Sequence, residues 1–278
     1  MAPKRREMHF GVFVLGTGNH SAGWRYDGAA TSNNDLAVIQ EIARQAERGK
    51  FDLLFVSDGL VMDPGDHPSF LCRFEPTTLI SALSTSTRHI GLGATVSTSF
   101  GEPYHVARAF GSIDHITRGR AAWNVVTSSA GKAALNFSRE AHMEHDLRYE
   151  VAQEFVDVVK GLWDCWQDGA IVADKASGVY LDPSKVRPLD PSRPVLPGEG
   201  PHQHVPLPSG ASGHHSSRRL GGGARARRAD GRRRVLRRAG AVGREARLSR
   251  SEGAHGQVRP YARSDHGPAG RDADHREH

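Results

Sequence analysis

The sequence predicts an α/β fold of the (β/α)8 TIM-barrel type, with only the first half, about four β/α units, encoded. Three observations predict it. Apolar, strand-like runs alternate strictly with segments of helical periodicity, which argues for a parallel sheet with right-handed crossovers. The strand runs are apolar along most of their length, as in a sheet covered on both faces. Successive strands then end in groups able to hydrogen-bond a ligand, as barrels do when they build a site at the C-terminal mouth. An open doubly wound sheet fits the alternation too. However, Gly16-Thr17-Gly18-Asn19-His20-Ser21 after the first strand lacks the third glycine of a dinucleotide fingerprint.

In chain order, His9–Leu15 reads as a buried strand, followed by a Gly-rich loop from Gly16 to Asn34. Asn34 or Asp35 can cap a helix through Gly49 with Leu36, Ile39, Ile42, Ala43 and Ala46 on one face. Phe51–Ser57 is a second buried strand ending at Asp58-Gly59. A loop rich in Pro, Gly and Asp leads to a helix at about Pro76–Thr87. His89–Ser99 is a third strand with Thr95, Ser97, Thr98 and Ser99 late in it. Pro103 suits the first turn of the next helix, which runs to about Ile116. Thr117-Arg118-Gly119 turns into Arg120–Ser128, a strand with an apolar body and a polar tip. After a long loop, Val151, Phe155, Val158, Val159 and Leu162 mark a helix from about His145 to Gln167, ended by Gly169.

Composition divides the chain near Asp190. The net charge of +6 conceals 19 Lys and Arg against 23 acids in residues 1–190, and 18 Arg against 8 acids in residues 191–278. That second, Arg/Gly/Ala/Pro-rich segment has only 11 Leu, Val and Tyr residues, too few to bury a core, and is expected to be disordered. Its runs Arg232–Arg234 and Arg237-Arg238 suggest a nucleic-acid binder, but Tyr261 is its only aromatic and it contains no DNA-binding motif, so no specific nucleic-acid partner is expected. His9, His89, His105, His115 and His142 are scattered and form no metal pattern. Two cysteines, Cys72 and Cys165, fit a reducing compartment. No apolar run nears the roughly 20 residues of a membrane span, and no signal-peptide core is visible. A cytoplasmic protein with no membrane association is expected.

A series of segments resembles one family at family spacing. They are His9–Phe13, Phe55–Asp58, Glu75–Leu79, Ile90–Thr95, Pro103–Arg108 and Gly119–Ser128, then His145–Tyr149 with Glu154-Phe155 and Leu162-Trp163. Over about residues 8–190 the chain resembles the bacterial luciferase-like flavin monooxygenases, within them the nitrilotriacetate and dibenzothiophene-sulfone monooxygenase group. The resemblance implies FMN at the barrel mouth, contacted by Asp58, Thr95, Asn124, His145, Arg148 and Tyr149. It implies a substrate-side loop at Trp24, Arg25 and Tyr26, where an arginine suits an anionic substrate. It implies the oxygenase component of a two-component system, using O2 and reduced FMN from a separate NAD(P)H:flavin reductase to oxygenate a small organic molecule. A homo-oligomer is compatible with the family. Plainer readings stand beside these roles. Asp58 before Gly59 suits a turn, Thr95 suits any strand, His145 suits a helix start, and Trp123 suits a core.

The basic segment also reads as an out-of-frame translation. Gly210–Arg218 can be encoded so that reading one nucleotide onward gives Gly-His-Pro-Val-Ile-Ile-Gln-Ala-Gly. Ala224–Val235 can likewise yield Arg-Glu-Leu-Ala-Ala-Arg-Thr-Ala-Asp-Val-Val-Phe. Both strings look like the fifth strand, Ala-Gly turn and helix of the family. Two competing expectations follow: a truncated, non-functional remnant of such an enzyme, or, more distantly, a basic nucleic-acid-binding protein.

Overall fold

A computed structural model describes residues 8–189 and 207–208. Four parallel strands, β1 (Gly11–Phe13), β2 (Leu53–Val56), β3 (Gly91–Ser97) and β4 (Ala121–Val126), lie in sheet order β1-β2-β3-β4. Each crossover carries a helix: α1 (Leu36–Arg48), then the short α2 (Pro68–Leu71) with α3 (Pro76–Leu83), then α4 (Pro103–Thr117); α5 (His145–Trp163) follows β4. This is the succession expected of the first half of a (β/α)8 barrel. The composition break and the basic segment expected to be disordered and out of frame lie outside the described residues, except for Leu207 and Pro208.

Local chemistry sets the boundaries. Asp35 caps α1 by accepting the N–H groups of Ala37 and Val38 at 3.0 and 3.2 Å. Glu75 does the same for α3 through Thr77 and Thr78, with Pro76 at the first helical position. Pro103 opens α4, and Arg118 and Gly119, at φ of 57° and 84°, turn the chain out of it into β4.

Three expectations need correction. The first strand is not buried, because β1 sits at the sheet edge with Gly11 and Phe13 exposed. Helix α2 interrupts the segment read as loop, since Pro68 and the His67 cap start a single turn there. The last helix stops at Trp163, four residues before Gln167, because tertiary pairing captures the next segment. Trp166 bridges to Val186, Gln167 N–H donates to the Lys185 carbonyl, and Arg187 N–H donates to that of Cys165.

Side chains alternate between the two faces of the sheet. Leu54, Val56, Leu92, Ala94 and Ala121 face the helices and join Ile80, Leu83, Phe110, Phe155 and Val159 in one buried cluster. The other face, the inner wall of the half-barrel, carries Phe13, Leu53, Phe55, Gly93 and Ala122, then Thr95 and Asn124 toward the strand ends. The wall is apolar below and polar above.

At the N-terminal end, two charged side chains clamp the turn that starts β3. Glu47 of α1 accepts the backbone N–H groups of Arg88, His89 and Ile90, at 2.5–2.9 Å for its Oε1. Arg120 donates to the carbonyls of Ile90 (2.7 Å), Thr117 (2.8 Å) and Thr87 (3.2 Å) and to Thr87 Oγ1 (3.1 Å). Burial pushes the Glu47 pKa up, but the N–H groups of Ile90, His89 and Arg88 outweigh it and hold the carboxyl below its ordinary value. Burial pulls the Arg120 pKa down, against the attraction of Glu47. Glu47→Ala removes a charged acceptor from three donors and should lower unfolding free energy by about 2 kcal/mol, measured by urea titration. Because the folded carboxyl titrates below its unfolded value, its contribution is present at neutral pH and fades as pH falls through that folded value. A loss that does not shrink on acidification contradicts this account.

Candidate active site

The polar groups gather where the strands end. Thr95 Oγ1 donates to the Val56 carbonyl at 3.0 Å and accepts from Asn124 Nδ2 at 3.1 Å, tying the ends of β2, β3 and β4 together. One N–H of the Asn124 amide is thereby used, which turns the group and leaves its carbonyl oxygen and second N–H to offer a ligand. Beyond this pair, Ser128 Oγ donates to Ser97 Oγ at 2.8 Å and Ser99 Oγ to the Thr127 carbonyl at 2.6 Å. Parallel pairing of Thr95 with Asn124 forces this juxtaposition, since register partners share a face.

Asp58 lies just past β2, its Oδ1 accepting from Gly59 N–H at 2.8 Å. Burial pushes its carboxyl above the ordinary range, while the Gly59 N–H and Arg73 pull it down and Glu75 pushes it further up. The turn bond to Gly59 and a ligand-binding role are compatible, because the second carboxylate oxygen stays available. Arg73 donates to Ser57 Oγ at 3.1 Å and lies 5.2 Å from the Phe70 ring, fixed beside Asp58.

A second cluster centres on the Ser128 carbonyl. Ser128 takes a left-handed conformation, φ 47°, which turns the chain away from β4. Its carbonyl accepts from Arg148 Nη1 at 2.6 Å and from His142 Nε2 at 2.8 Å, so that imidazole nitrogen carries the hydrogen. Among the described residues, His142 Nδ1 and Arg148 Nε are buried without a hydrogen-bond partner. Such atoms are rare and costly unless something meets them. Arg139 donates to the Ser99 carbonyl at 2.7 Å and lies over Phe100, which stacks on Phe137 at 4.6 Å and holds the loop before α5 onto the strand ends.

The expected residues are therefore distributed unevenly. Asp58, Thr95 and Asn124 occupy three adjacent strand ends, and Arg148 joins them through Ser128. His145 and Tyr149 stand one turn apart at the start of α5, rings 4.9 Å apart. His145, however, pairs with Asp146 at 2.8 Å with 69% of its side chain exposed. Trp24, Arg25 and Tyr26 sit in an exposed single turn, Gly23–Arg25 and its cap. Buried bonds pin the base of that loop: Thr17 N–H to Asn33 Oδ1 at 2.9 Å and Thr17 Oγ1 with Ser69 Oγ at 2.8 Å. Gly16 is required there, since a Cβ would lie 2.7 Å from the Asn33 Cα. Arg73, Arg139 and His142 escaped the sequence reading as site residues, whereas Ser128 was read as part of a polar strand tip. The available signal was the density of polar and aromatic groups in an aperiodic loop ahead of a helix start. Trp123 does pack in the core, between Phe110 and Phe155, and donates to the Val96 carbonyl.

A hollow of about 490 Å³ lies elsewhere: it is a mainly apolar groove between β1 and α1, lined by Val12, Val38, Ile42, Ala46 and Phe51 with Glu41 and Gln45. Its polar members, Glu41 and Gln45, bond to each other, and Arg44 and Arg48 also donate to Glu41, so the strand ends are the better candidate site. Among the described residues no cluster of His, Cys, Asp or Glu could hold a metal ion, and no helix is long and apolar enough to cross a membrane.

Known proteins resemble this chain in sequence and fold. The luciferase-like monooxygenase family matches residues 8–232, a span that passes Asp190 and ends within the arginine-rich segment. N-acetyl-S-(2-succino)cysteine monooxygenase of Bacillus subtilis (strain 168) is 47% identical over 76% of this chain and 48% of its own length. Nitrilotriacetate monooxygenase component A of Aminobacter aminovorans is 43% identical over 63% of this chain and 42% of its own. A riboflavin lyase crystallised with modified FMN and its substrate riboflavin superposes with a TM-score of 0.65 at 30% identity, covering 73% of this chain and 48% of that one. The chain spans about half the length of the relatives it matches. With the family's motifs in register on the first four β/α units of a barrel, the chain belongs to the luciferase-like monooxygenases.

Proposed function

We propose that this chain supplies the FMN-holding first half of a flavin-dependent monooxygenase, the oxygenase component of a two-component system. The observation that carries the reading is the Thr95–Asn124 pair at the mouth of the sheet, flanked by Asp58 and by the buried, unpartnered Arg148 Nε and His142 Nδ1. This donor and acceptor set fits a cofactor with a polar heterocycle, a hydroxylated chain and an anionic end. Reduced FMN, when bound, supplies the chemistry that activates O2. The flavin would come from an NAD(P)H:flavin reductase, a role consistent with the relative named as a component A. A small organic substrate would approach past Trp24, Arg25 and Tyr26. The two free thiols, Cys72 and Cys165, favour the cytoplasm.

In this reading the chain's residues bind and orient rather than react. Asn124, its amide turned by Thr95, offers an acceptor and a donor to the polar edge of the ring. Asp58 accepts from a ring N–H or from ribityl hydroxyls, backed by Arg73. Arg148, at the start of α5, meets the phosphate where the helix N-terminus also favours negative charge, with Tyr149 and His145 beside it. Arg25 attracts an anionic group on the substrate.

Titration of the full chain with reduced FMN under anaerobic conditions should give saturable binding, read by a change in flavin fluorescence. Asn124→Ala should weaken it about 10-fold, the loss of one or two hydrogen bonds. Absence of saturable binding, or an unchanged affinity in Asn124→Ala, removes the reading. A second prediction concerns Asp58, whose folded carboxyl titrates above its unfolded value. Its ionised form therefore costs stability at neutral pH, and the cost is relieved as pH falls through the folded value toward the unfolded one. Asp58→Asn should raise the melting temperature at neutral pH, by an amount that shrinks in thermal melts at progressively lower pH. The same variant should bind FMN more weakly, separating the structural cost from the functional use.

A further inference from the structure

The loop that joins β2 to α3 folds back on its own beginning. It leaves β2 through Ser57, Asp58 and Gly59, passes through α2, and returns at Arg73, between the Cys72 cap of α2 and the Glu75 cap of α3. Arg73 Nη1 donates to Ser57 Oγ at 3.1 Å, and the guanidinium carbon lies 5.2 Å from the centre of the Phe70 ring. The third side of this seat is Gly59. Gly59 does not take a left-handed conformation, so its own backbone does not call for glycine. What excludes a side chain there is Arg73, because a Cβ on Gly59 would collide with Nη2. The missing side chain is the space in which the guanidinium rests.

The same seat sets the charge beside Asp58. Burial is the main force that raises the Asp58 pKa, the Gly59 N–H and the Arg73 charge oppose it, and Glu75 adds to it. Glu75 is committed to capping α3, where its oxygens accept from the N–H groups and hydroxyls of Thr77 and Thr78. Arg73 instead touches the residues on both sides of Asp58, Ser57 through a hydrogen bond and Gly59 through close packing. We propose that Arg73 is a positioning residue for the site at the strand ends: seated in the space left by Gly59 and bonded to Ser57, it fixes the turn that presents Asp58 to a ligand. Gly59 is the second half of the device, a glycine present for the guanidinium rather than for its own backbone. Arg73 acts through Asp58 and does not itself bond the ligand. The consequence for FMN rests on the flavin reading, whereas the coupling of Arg73 to Asp58 does not, so the two fail separately.

A double-mutant cycle tests the inference with two readouts, and the first needs no ligand. Without Arg73 the ionised Asp58 carboxyl loses its opposing charge, its pKa rises further, and at neutral pH its cost to stability grows. Asp58→Asn should therefore raise the melting temperature by about 2 °C more in Arg73→Met than in the wild-type chain at neutral pH. The difference should vanish in melts at a pH below the folded carboxyl values, where Asp58 is protonated in both. The second readout is titration with reduced FMN. Arg73→Met should weaken binding about 5-fold, and Gly59→Ala, which displaces the guanidinium without removing it, should do likewise. In the Asp58→Asn background neither change should cost anything more. Additive losses in that background would mean that Arg73 bonds the ligand itself. Equal effects of Asp58→Asn on the melts with and without Arg73 would mean that the two are uncoupled. Either result overturns the inference. If Arg73→Met fails to fold, Gly59→Ala carries the same cycle. The clash of its new methyl is with the end of a flexible side chain, and the Val61 carbonyl oxygen lies at an ordinary 3.8 Å. If the wild-type chain does not bind FMN, the flavin reading falls and the melts still decide the inference.

Discussion

The clamp on the turn from Thr87 to Ile90 is the constraint on which the rest depends. Glu47 reaches it from α1 and Arg120 from the start of β4, so one turn is held by elements on both sides of β3. Fixing where β3 begins fixes its register against β2 and β4, and a parallel sheet has no hairpin turn to do that work. A slip of one residue would send Thr95 to the helix side and bring Ala94 to the mouth. The polar pair of Thr95 and Asn124 at the C-terminal end is thus a consequence of charged bonds at the other end of the same strands. This division, stability at the bottom and ligand chemistry at the top, is the usual one in barrels.

The elements were legible to the degree that their signals were local. Asp35, Pro76 and Pro103 announce helix starts through chemistry confined to one turn, and the structure uses each of them. The tips of the strands were legible because alternation places Thr95 and Asn124 on one face once pairing is parallel. What was not legible required knowledge of distant partners. The exposure of β1 depends on which strand lies beyond it, and nothing in His9–Leu15 encodes that. Helix α5 ends at Trp163 because residues 165–167 find partners at 185–187, a contact that outweighs a continuing helical pattern. The Ser128 carbonyl as a meeting point of His142 and Arg148 depends on a left-handed residue that no propensity assigns to serine.

The site's uneven distribution has a physical reading. Thr95 and Asn124 are held by the sheet and have little freedom to adjust. Arg148 and His142 are held mainly by one shared carbonyl and still have buried nitrogen atoms without partners. Trp24, Arg25 and Tyr26 stand on a loop that is fixed at its base by Thr17, Asn33 and Ser69 and exposed at its tip. In the roles proposed for them, this order of increasing freedom runs from ring-side pair to phosphate-side cluster to substrate-side loop. The cofactor needs one fixed geometry, whereas substrates vary among relatives named for a succinylated cysteine and for nitrilotriacetate.

The half-barrel also explains why its inner wall is graded. Below the tips, Gly93 and Ala122 keep the wall low, with a Cβ on Gly93 lying 3.4 Å from a Leu53 methyl and 3.7 Å from the Ala122 Cβ. Small residues at this level leave room for side chains from strands on the opposite side of the barrel axis, and large ones there would fill the interior from one side only. The wall is shaped for facing strands. With Phe13 41% exposed, covering this inner surface would take apolar area out of water, and excluding water there would strengthen the hydrogen bonds that the polar strand tips offer a ligand.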